Sequence, residues 1–328
     1  MFCGYVKEFY SKNIDRKFKQ SNLKVRYGNK EEIKMFESGN KDKKIYILGS
    51  SGYLGGLCLE YMKSRGYTVF HERIELSDFS ALTTMFNKIK PDVVINCAGA
   101  KAYPTVDWCE DHKEETALVN VVGAINAMTA ALSCGAYPIQ ICSGCIYQGG
   151  KRKVFTEEDK PNFYGSFYSR MRVVMQDALK ELPVLQARIR MPLSSIPHKR
   201  NFINKIAGYN RVISIPNSVT YLDDLWPALE VLMEKKPTGI LNLTNDGYID
   251  NGHVLEAYKK IIDPTHTYEI ISLLALHGPG GITKAKRSNC VLSNVKAKEL
   301  GIIMPALNKK RLEEILRKYK ENLNNKVL

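Results

Sequence analysis

Apolar and polar positions along the chain change in blocks whose period switches between that of a buried strand and that of a helix. The run at 45–48 is wholly apolar, as in a strand covered on both faces, and glycines follow it at 49, 52 and 55 before a helical segment at 57–65. Further strands are predicted at 67–71, 92–98, 137–142 and 183–190. Helices are predicted between them at 81–88, 115–132 and 167–182, and a helix at 222–234 followed by a strand at 239–243 rejoins the pattern. Alternation of this kind predicts an α/β fold, a Rossmann-type doubly wound parallel sheet with right-handed crossovers.

The domain organisation follows. Residues 45–190 form the dinucleotide-binding domain and 222–245 return to it, while the irregular stretches 191–221 and 246–328 build a smaller substrate-binding cap. The last helix, expected at 309–322, carries Leu312, Ile315, Leu316 and Tyr319 on one face and docks through them. Residues 1–44 lack periodicity and hold 12 Lys/Arg against 6 Asp/Glu, a net +6. They read as a flexible extension, with a basic interaction arm as the alternative.

Over all 328 residues the formal charge is +14. The basic residues are spread along the chain in no recognition-helix, finger or aromatic RNA-binding pattern, which argues against nucleic acid and for anionic small ligands. Eight cysteines (3, 58, 97, 109, 134, 142, 145, 290) show no zinc-type spacing. Neither a secretory leader nor an apolar run near 18 residues is apparent, so no membrane association and a reduced, cytoplasmic compartment are expected.

Ligands of such sheets lie beyond the carboxyl ends of the strands. On that rim the segment Gly49-Ser50-Ser51-Gly52-Tyr53-Leu54-Gly55 forms a strand–turn–helix cradle for a pyrophosphate, joined by Ala98, Gly99 and Ala100 after the third strand. The second strand ends without an aspartate for a ribose 2′-hydroxyl, and Arg73 with Ser50 and Ser51 suits a 2′-phosphate. NADPH is therefore expected, and Glu72 leaves NADH as an alternative.

Tyr168 opens a predicted helix with Arg172 one turn on, which sets a cation beside a phenol that ordinarily titrates near ~10. Ser143, at the end of a strand, is a second donor for a substrate carbonyl, unless it only satisfies its own backbone. Cys142-Ser-Gly-Cys145 straddles a strand end, unlike a redox dithiol at a helix N-terminus. Cys145 on the rim is instead a candidate for proton transfer, with Lys205 as a counterpart.

These segments, together with Asn96-Cys-Ala-Gly, Val106-Asp-Trp-Cys-Glu110, Asn120-Val-Val-Gly, Arg190-Met-Pro-Leu-Ser-Ser195, Arg200-Asn-Phe-Ile-Asn-Lys-Ile206, Ile215-Pro-Asn-Ser218 and Arg287-Ser-Asn289, closely resemble the nucleotide-rhamnose synthases, or epimerase-reductases. That group of extended short-chain dehydrogenases is related to dTDP-4-dehydrorhamnose reductase, and the likeness runs from about residue 45 to the C-terminus. The resemblance implies epimerisation of UDP-4-keto-6-deoxy-D-glucose at C3 and C5, then NADPH-dependent reduction at C4 to UDP-β-L-rhamnose. It implies Tyr168 as proton donor at C4, assisted by Ser143, with Cys145 and Lys205 as the epimerisation acid and base. It also implies Arg287 and Asn289 near the substrate; Asn201 is a further candidate for substrate binding, and a homodimer is expected. One departure is that Arg172 stands where the group has lysine; it keeps the charge but not a ready proton relay. Two rivals remain: a reductase that does not epimerise, for which Cys145 and Lys205 are incidental, and a non-catalytic NADP-binding regulatory subunit.

Overall fold

The structure, a computed structural model, describes residues 42–100 and 103–325. The expectation for the basic extension 1–44 therefore falls almost wholly outside the described residues. In chain order the elements begin with β1 (Lys44–Leu48), α1 (Tyr53–Ser64), β2 (Thr68–Phe70), α2 (Phe79–Ile89), β3 (Val93–Asn96), α3 (Trp108–Asp111) and α4 (Lys113–Ala117). After a π-helical turn (Leu118–Val122) come α5 (Gly123–Ser133), β4 (Tyr137–Ser143), β5 (Gly150–Phe155), α6 (Phe167–Leu179), β6 (Leu185–Ile189), β7 (Pro192–Leu193) and α7 (Phe202–Ala207). The rest are β8 (Arg211–Val212), β9 (Thr220–Tyr221), α8 (Leu222–Lys235), β10 (Gly239–Asn242), α9 (Asn251–Ile261), β11 (Glu269–Ile270), α10 (Leu273–His277), β12 (Cys290–Leu292), α11 (Val295–Glu299) and α12 (Lys309–Asn324).

Six strands form one sheet in the order β10-β6-β4-β3-β1-β2, every neighbouring pair parallel. The doubly wound fold is thus as the alternation predicts. Chain order reverses between β1 and β3, which opens a crevice at their carboxyl ends. Ile45 through Leu48 are at most 2% exposed, which explains why β1 reads as a continuous apolar run.

A main core joins β1, β3 and β4 to α2, α5 and α6 through Leu82, Phe86, Val94, Ala127, Met128 and Met175. A second cluster gathers Phe202, Ile203, Ile206, Val254, Leu255, Leu312, Ile315, Leu316 and Tyr319. Here α12 lies against α9 with the four predicted apolar residues buried.

Two differences from the sequence reading concern helices. The first helix starts at Tyr53 rather than at 57, because Gly52 stands at its N-cap with extended backbone and Gly55 falls inside the first turn. The helical run Lys113–Ser133 is, over 21 residues, long and apolar enough by length and composition to cross a membrane, contrary to the expectation of no such run. It packs on β3, β4 and α2, the setting in which a core helix acquires the same composition.

Candidate active site

The glycine turn is built by close contact. Gly49 has φ +73°, and a Cβ there would stand 2.7 Å from the Ala98 backbone. A Cβ on Gly55 would stand 2.2 Å from the Gly49 carbonyl oxygen, so α1 sits against the turn as only glycine permits. The Gly52 amide donates to the Gly49 carbonyl at 2.9 Å, and no side chain caps the helix. Its first amides, from Tyr53 to Gly55, accordingly have no side-chain cap, as a helix end that receives an anion requires. Asn96 shapes the facing edge: its Oδ1 accepts from the Ala98 amide at 3.0 Å while Nδ2 is held by Gln140 at 2.8 Å.

Ser50, Ser51 and Arg73 lie at the outer end of this cradle. Ser51 and Arg73 are exposed, whereas the Ser50 hydroxyl donates to the His71 carbonyl at 3.1 Å and so ties the turn to the end of β2.

Helix α6 begins where the Ser166 hydroxyl accepts from the Ser169 amide at 3.0 Å. That cap puts Tyr168 in the first turn and Arg172 one turn on, with the guanidinium 5.1 Å from the Tyr168 ring centroid. Arg172 is buried, and its Nε and Nη1 have no hydrogen-bond partner. It stands against Gly99, where an added Cβ would lie 3.0 Å from Nη2 and 3.3 Å from Asn120 Oδ1. Asn120, turned inward by the π-helical turn, accepts from the Ala100 amide at 3.1 Å and leaves its own Nδ2 unpaired. Unpaired buried donors beside a strand end that a side chain would fill are what a polar cofactor ribose requires. The residues present therefore fit a dinucleotide.

Ser143 ends β4 with its hydroxyl accepting from the Cys145 amide at 3.1 Å; its own hydrogen has no acceptor among the described residues. The hydroxyl thus satisfies local backbone and still has a hydrogen to donate. The Ser169 hydroxyl donates to the Cys145 carbonyl at 2.6 Å, joining this loop to α6. The Cys145 sulfur accepts from Arg190 Nη1 at 2.7 Å. Cys142 faces away: burial pushes its thiol up to about 12 and it contacts Gln186 at 3.7 Å, so the two sulfurs do not form a redox pair.

Lys205 lies in the last turn of α7, and its side-chain amine has no hydrogen bond or ion pair among the described residues. Burial pushes its amine below the usual lysine value, Arg287 and Arg200 add to this, and Cys145 and Asp107 oppose it. The Lys205 amine thus yields its proton more readily than usual, within electrostatic range of the Cys145 thiol.

The three residues expected near the substrate fare differently. Asn201 spends its side chain on neighbouring backbone. It is fully buried, donating from Nδ2 to the Ser194 and Ile196 carbonyls at 2.7 and 2.8 Å while Oδ1 caps α7 at the Ile203 amide. Asn289, 2% exposed, accepts from Asn217 Nδ2 at 3.0 Å and donates to the Arg287 carbonyl, so it too is framework. Arg287 does border the site but forms a two-point ion pair with Asp107, at 3.1 and 2.7 Å. Burial works against the Asp107 carboxylate, yet the bonds from Arg287, Ala285 and Thr105 hold it below the usual range.

The sequence reading missed Arg190, Asn217 and Asp107 as parts of the site and Asn120 as a cofactor neighbour. A signal existed for Arg190: Arg188 and Arg190 are charges two apart in the strand predicted at 183–190, on a face whose burial is costly to a cation.

The chain belongs to the family of the RmlD substrate binding domain, whose model matches residues 43–212. A bifunctional dTDP-4-dehydrorhamnose 3,5-epimerase/dTDP-4-dehydrorhamnose reductase of Arabidopsis thaliana is 36% identical over 269 residues, which cover 80% of this chain and 88% of that protein. A trifunctional UDP-glucose 4,6-dehydratase/UDP-4-keto-6-deoxy-D-glucose 3,5-epimerase/UDP-4-keto-L-rhamnose-reductase of the same plant is 39% identical over 237 residues, 70% of this chain; the match spans only 36% of that larger protein. The crystal structure of the L780 UDP-rhamnose synthase from Acanthamoeba polyphaga mimivirus superposes with a TM-score of 0.78 at 31% identity, covering 84% of this chain and 99% of that one. By name, these three relatives are a nucleotide-sugar epimerase-reductase, a larger enzyme that includes both activities, and a UDP-rhamnose synthase.

Proposed function

We propose that this chain epimerises UDP-4-keto-6-deoxy-D-glucose at C3 and C5 and then reduces it at C4, with NADPH, to UDP-β-L-rhamnose. What supports the reading is a Lys205 amine depressed by burial, without a side-chain partner among the described residues and within electrostatic range of the Cys145 thiol, on the rim that also carries Ser143 and Tyr168. A reductase alone needs no such pair.

The chemistry is coherent at one carbonyl. Hydroxyls of Tyr168 and Ser143 aimed at the C4 oxygen stabilise an enolate when a proton leaves C3 or C5, and an alkoxide when C4 is reduced. Inversion needs a proton taken from one face and returned on the other, which suits Lys205 on α7 and Cys145 after β4 as base and acid. The α1 amides would hold the cofactor diphosphate, Arg172 and Asn120 its nicotinamide-side ribose, and Arg73 with Ser51 a 2′-phosphate. NADPH, when bound, supplies the hydride for C4. Arg172 keeps the cation beside Tyr168 in place of a lysine, and its charge is held firmly: burial opposes protonation, but Tyr168 and the neighbouring thiols outweigh it.

The test is incubation with UDP-4-keto-6-deoxyglucose and NADPH in deuterium oxide, followed by NMR of the product. Deuterium at C3 and C5 of a rhamnose product is expected, and Cys145→Ala or Lys205→Ala should lose it while NADPH binding persists. Reduction without deuterium uptake would reduce the chain to a 4-ketoreductase, and no turnover with NADPH bound would leave only a binding subunit. Michaelis constants favouring NADH would remove the role of Arg73.

A further inference from the structure

We infer that Arg190 is a positioning residue of the proton-exchange site: it fixes the Cys145 sulfur and balances the negative charge left there when the thiol gives its proton to substrate carbon. The inference rests on the reading of Cys145 as an acid and adds a group to it that neither the sequence motifs nor the relatives assign.

Arg190 follows β6 and is 3% exposed. It has no carboxylate partner among the described residues, although an isolated buried cation is costly. Its Nη2 donates to the Asn217 side-chain oxygen and the Ser288 carbonyl, both neutral, and its Nη1 donates to the Cys145 sulfur at 2.7 Å. The arm is braced from behind. Asn217 Nδ2 donates to Asn289 Oδ1 at 3.0 Å, Asn217 Oδ1 also accepts from the Cys290 amide at 3.0 Å, and the Arg190 amide and carbonyl are bonded to Thr220. Every contact but one is to a group that stays neutral; the exception is the thiol assigned to proton transfer.

The step balances without an oxidant. The electron pair of the substrate enolate forms a C–H bond as the S–H bond of Cys145 breaks, so one negative charge moves from the sugar to sulfur. Arg190 is already in contact with that sulfur and needs no rearrangement to receive the charge. The other titratable groups facing Cys145 are Arg172, with Tyr168 beside it, from α6, Cys290 from β12 and Lys205 from α7. These four groups are left in place when Arg190 alone is replaced.

The test reads the thiol directly. Full-length protein is alkylated with iodoacetamide at pH 7 and pH 9, and modification of the Cys145 peptide is followed by mass spectrometry. Because the thiolate is the reacting species, Arg190→Gln should slow alkylation at least tenfold at pH 7 and much less at pH 9, and Arg190→Lys should recover most of the loss. Equal rates for native and Arg190→Gln protein at pH 7 would overturn the proposal. If Arg190→Gln lacks a cooperative melt, Asn217→Ala, which frees one arm of the guanidinium, takes its place, with at least threefold slowing expected and no slowing counting against the idea. Deuterium uptake in the native enzyme is scored separately. Its absence would remove the acid role while the alkylation result stands, and unchanged alkylation would remove Arg190 while the epimerase reading stands.

Discussion

Replacing Lys205 by methionine should abolish proton exchange and make the protein more stable. The stem keeps its length, and what is lost is an amine held half-buried among Arg287 and Arg200, with no bond of its own among the described residues. Removing an unfavourably placed functional group commonly gains about 0.5–2 kcal/mol, which for a chain of this size raises the melting temperature by roughly 1–6 °C. The pH dependence has a definite sign. The folded-state pKa of Lys205 lies below its unfolded value near ~10.4, so between the two the unfolded chain binds the extra proton and native stability rises with pH. The stability Lys205 contributes is complete above the unfolded value and is lost as pH falls through the folded one. The advantage of Lys205→Met should therefore be greatest near neutrality and shrink toward pH 10.5. Paired thermal melts at pH 7 and 10.5, with deuterium uptake at C3 and C5, check both halves. A variant less stable than native protein at pH 7, or a difference that does not change with pH, would refute the electrostatic reasoning.

Gly55→Ala puts a methyl 2.2 Å from the Gly49 oxygen, so α1 must back away from the turn by about an ångström; NADPH affinity, followed by fluorescence titration, should fall at least tenfold. Asn201→Ala strips the α7 cap and leaves two buried carbonyls unsatisfied, costing about 2–4 kcal/mol; denaturant midpoints should shift while the Michaelis constant for sugar nucleotide in the remaining folded enzyme stays unchanged. Asp107→Asn breaks the pair with Arg287 and should lower the melting temperature at pH 7. Because the Asp107 carboxyl is held below its usual range, that difference should persist down to the ordinary carboxylate region and vanish only as pH falls through the lowered value.

Periodicity alone carried the fold. Continuous apolar runs such as 45–48 suit only a strand covered on both sides, and their alternation with helices leaves few topologies, so the parallel sheet and its carboxyl rim were legible before any coordinates. The glycine spacing marked the cofactor turn, since a helix in contact with a strand end tolerates nothing larger. Local capping was legible less well: Asn201 stood inside a motif that suggested ligand contact, yet an asparagine before a short apolar helix serves equally as a cap, and the type of residue does not say which.

What tertiary structure alone decided was which polar groups meet. Asp107 and Arg287 are 180 residues apart in sequence, and Arg190, Cys145, Asn217 and Asn289 come from four separate segments. Linear spacing holds no record of such contacts, because each depends on how the segments after β3, β4 and β6 pack against the stretch that leads into β12. The same packing sets the proton affinity of Lys205: its sequence neighbours give it an ordinary amine, and burial, with Arg287 nearby, lowers it.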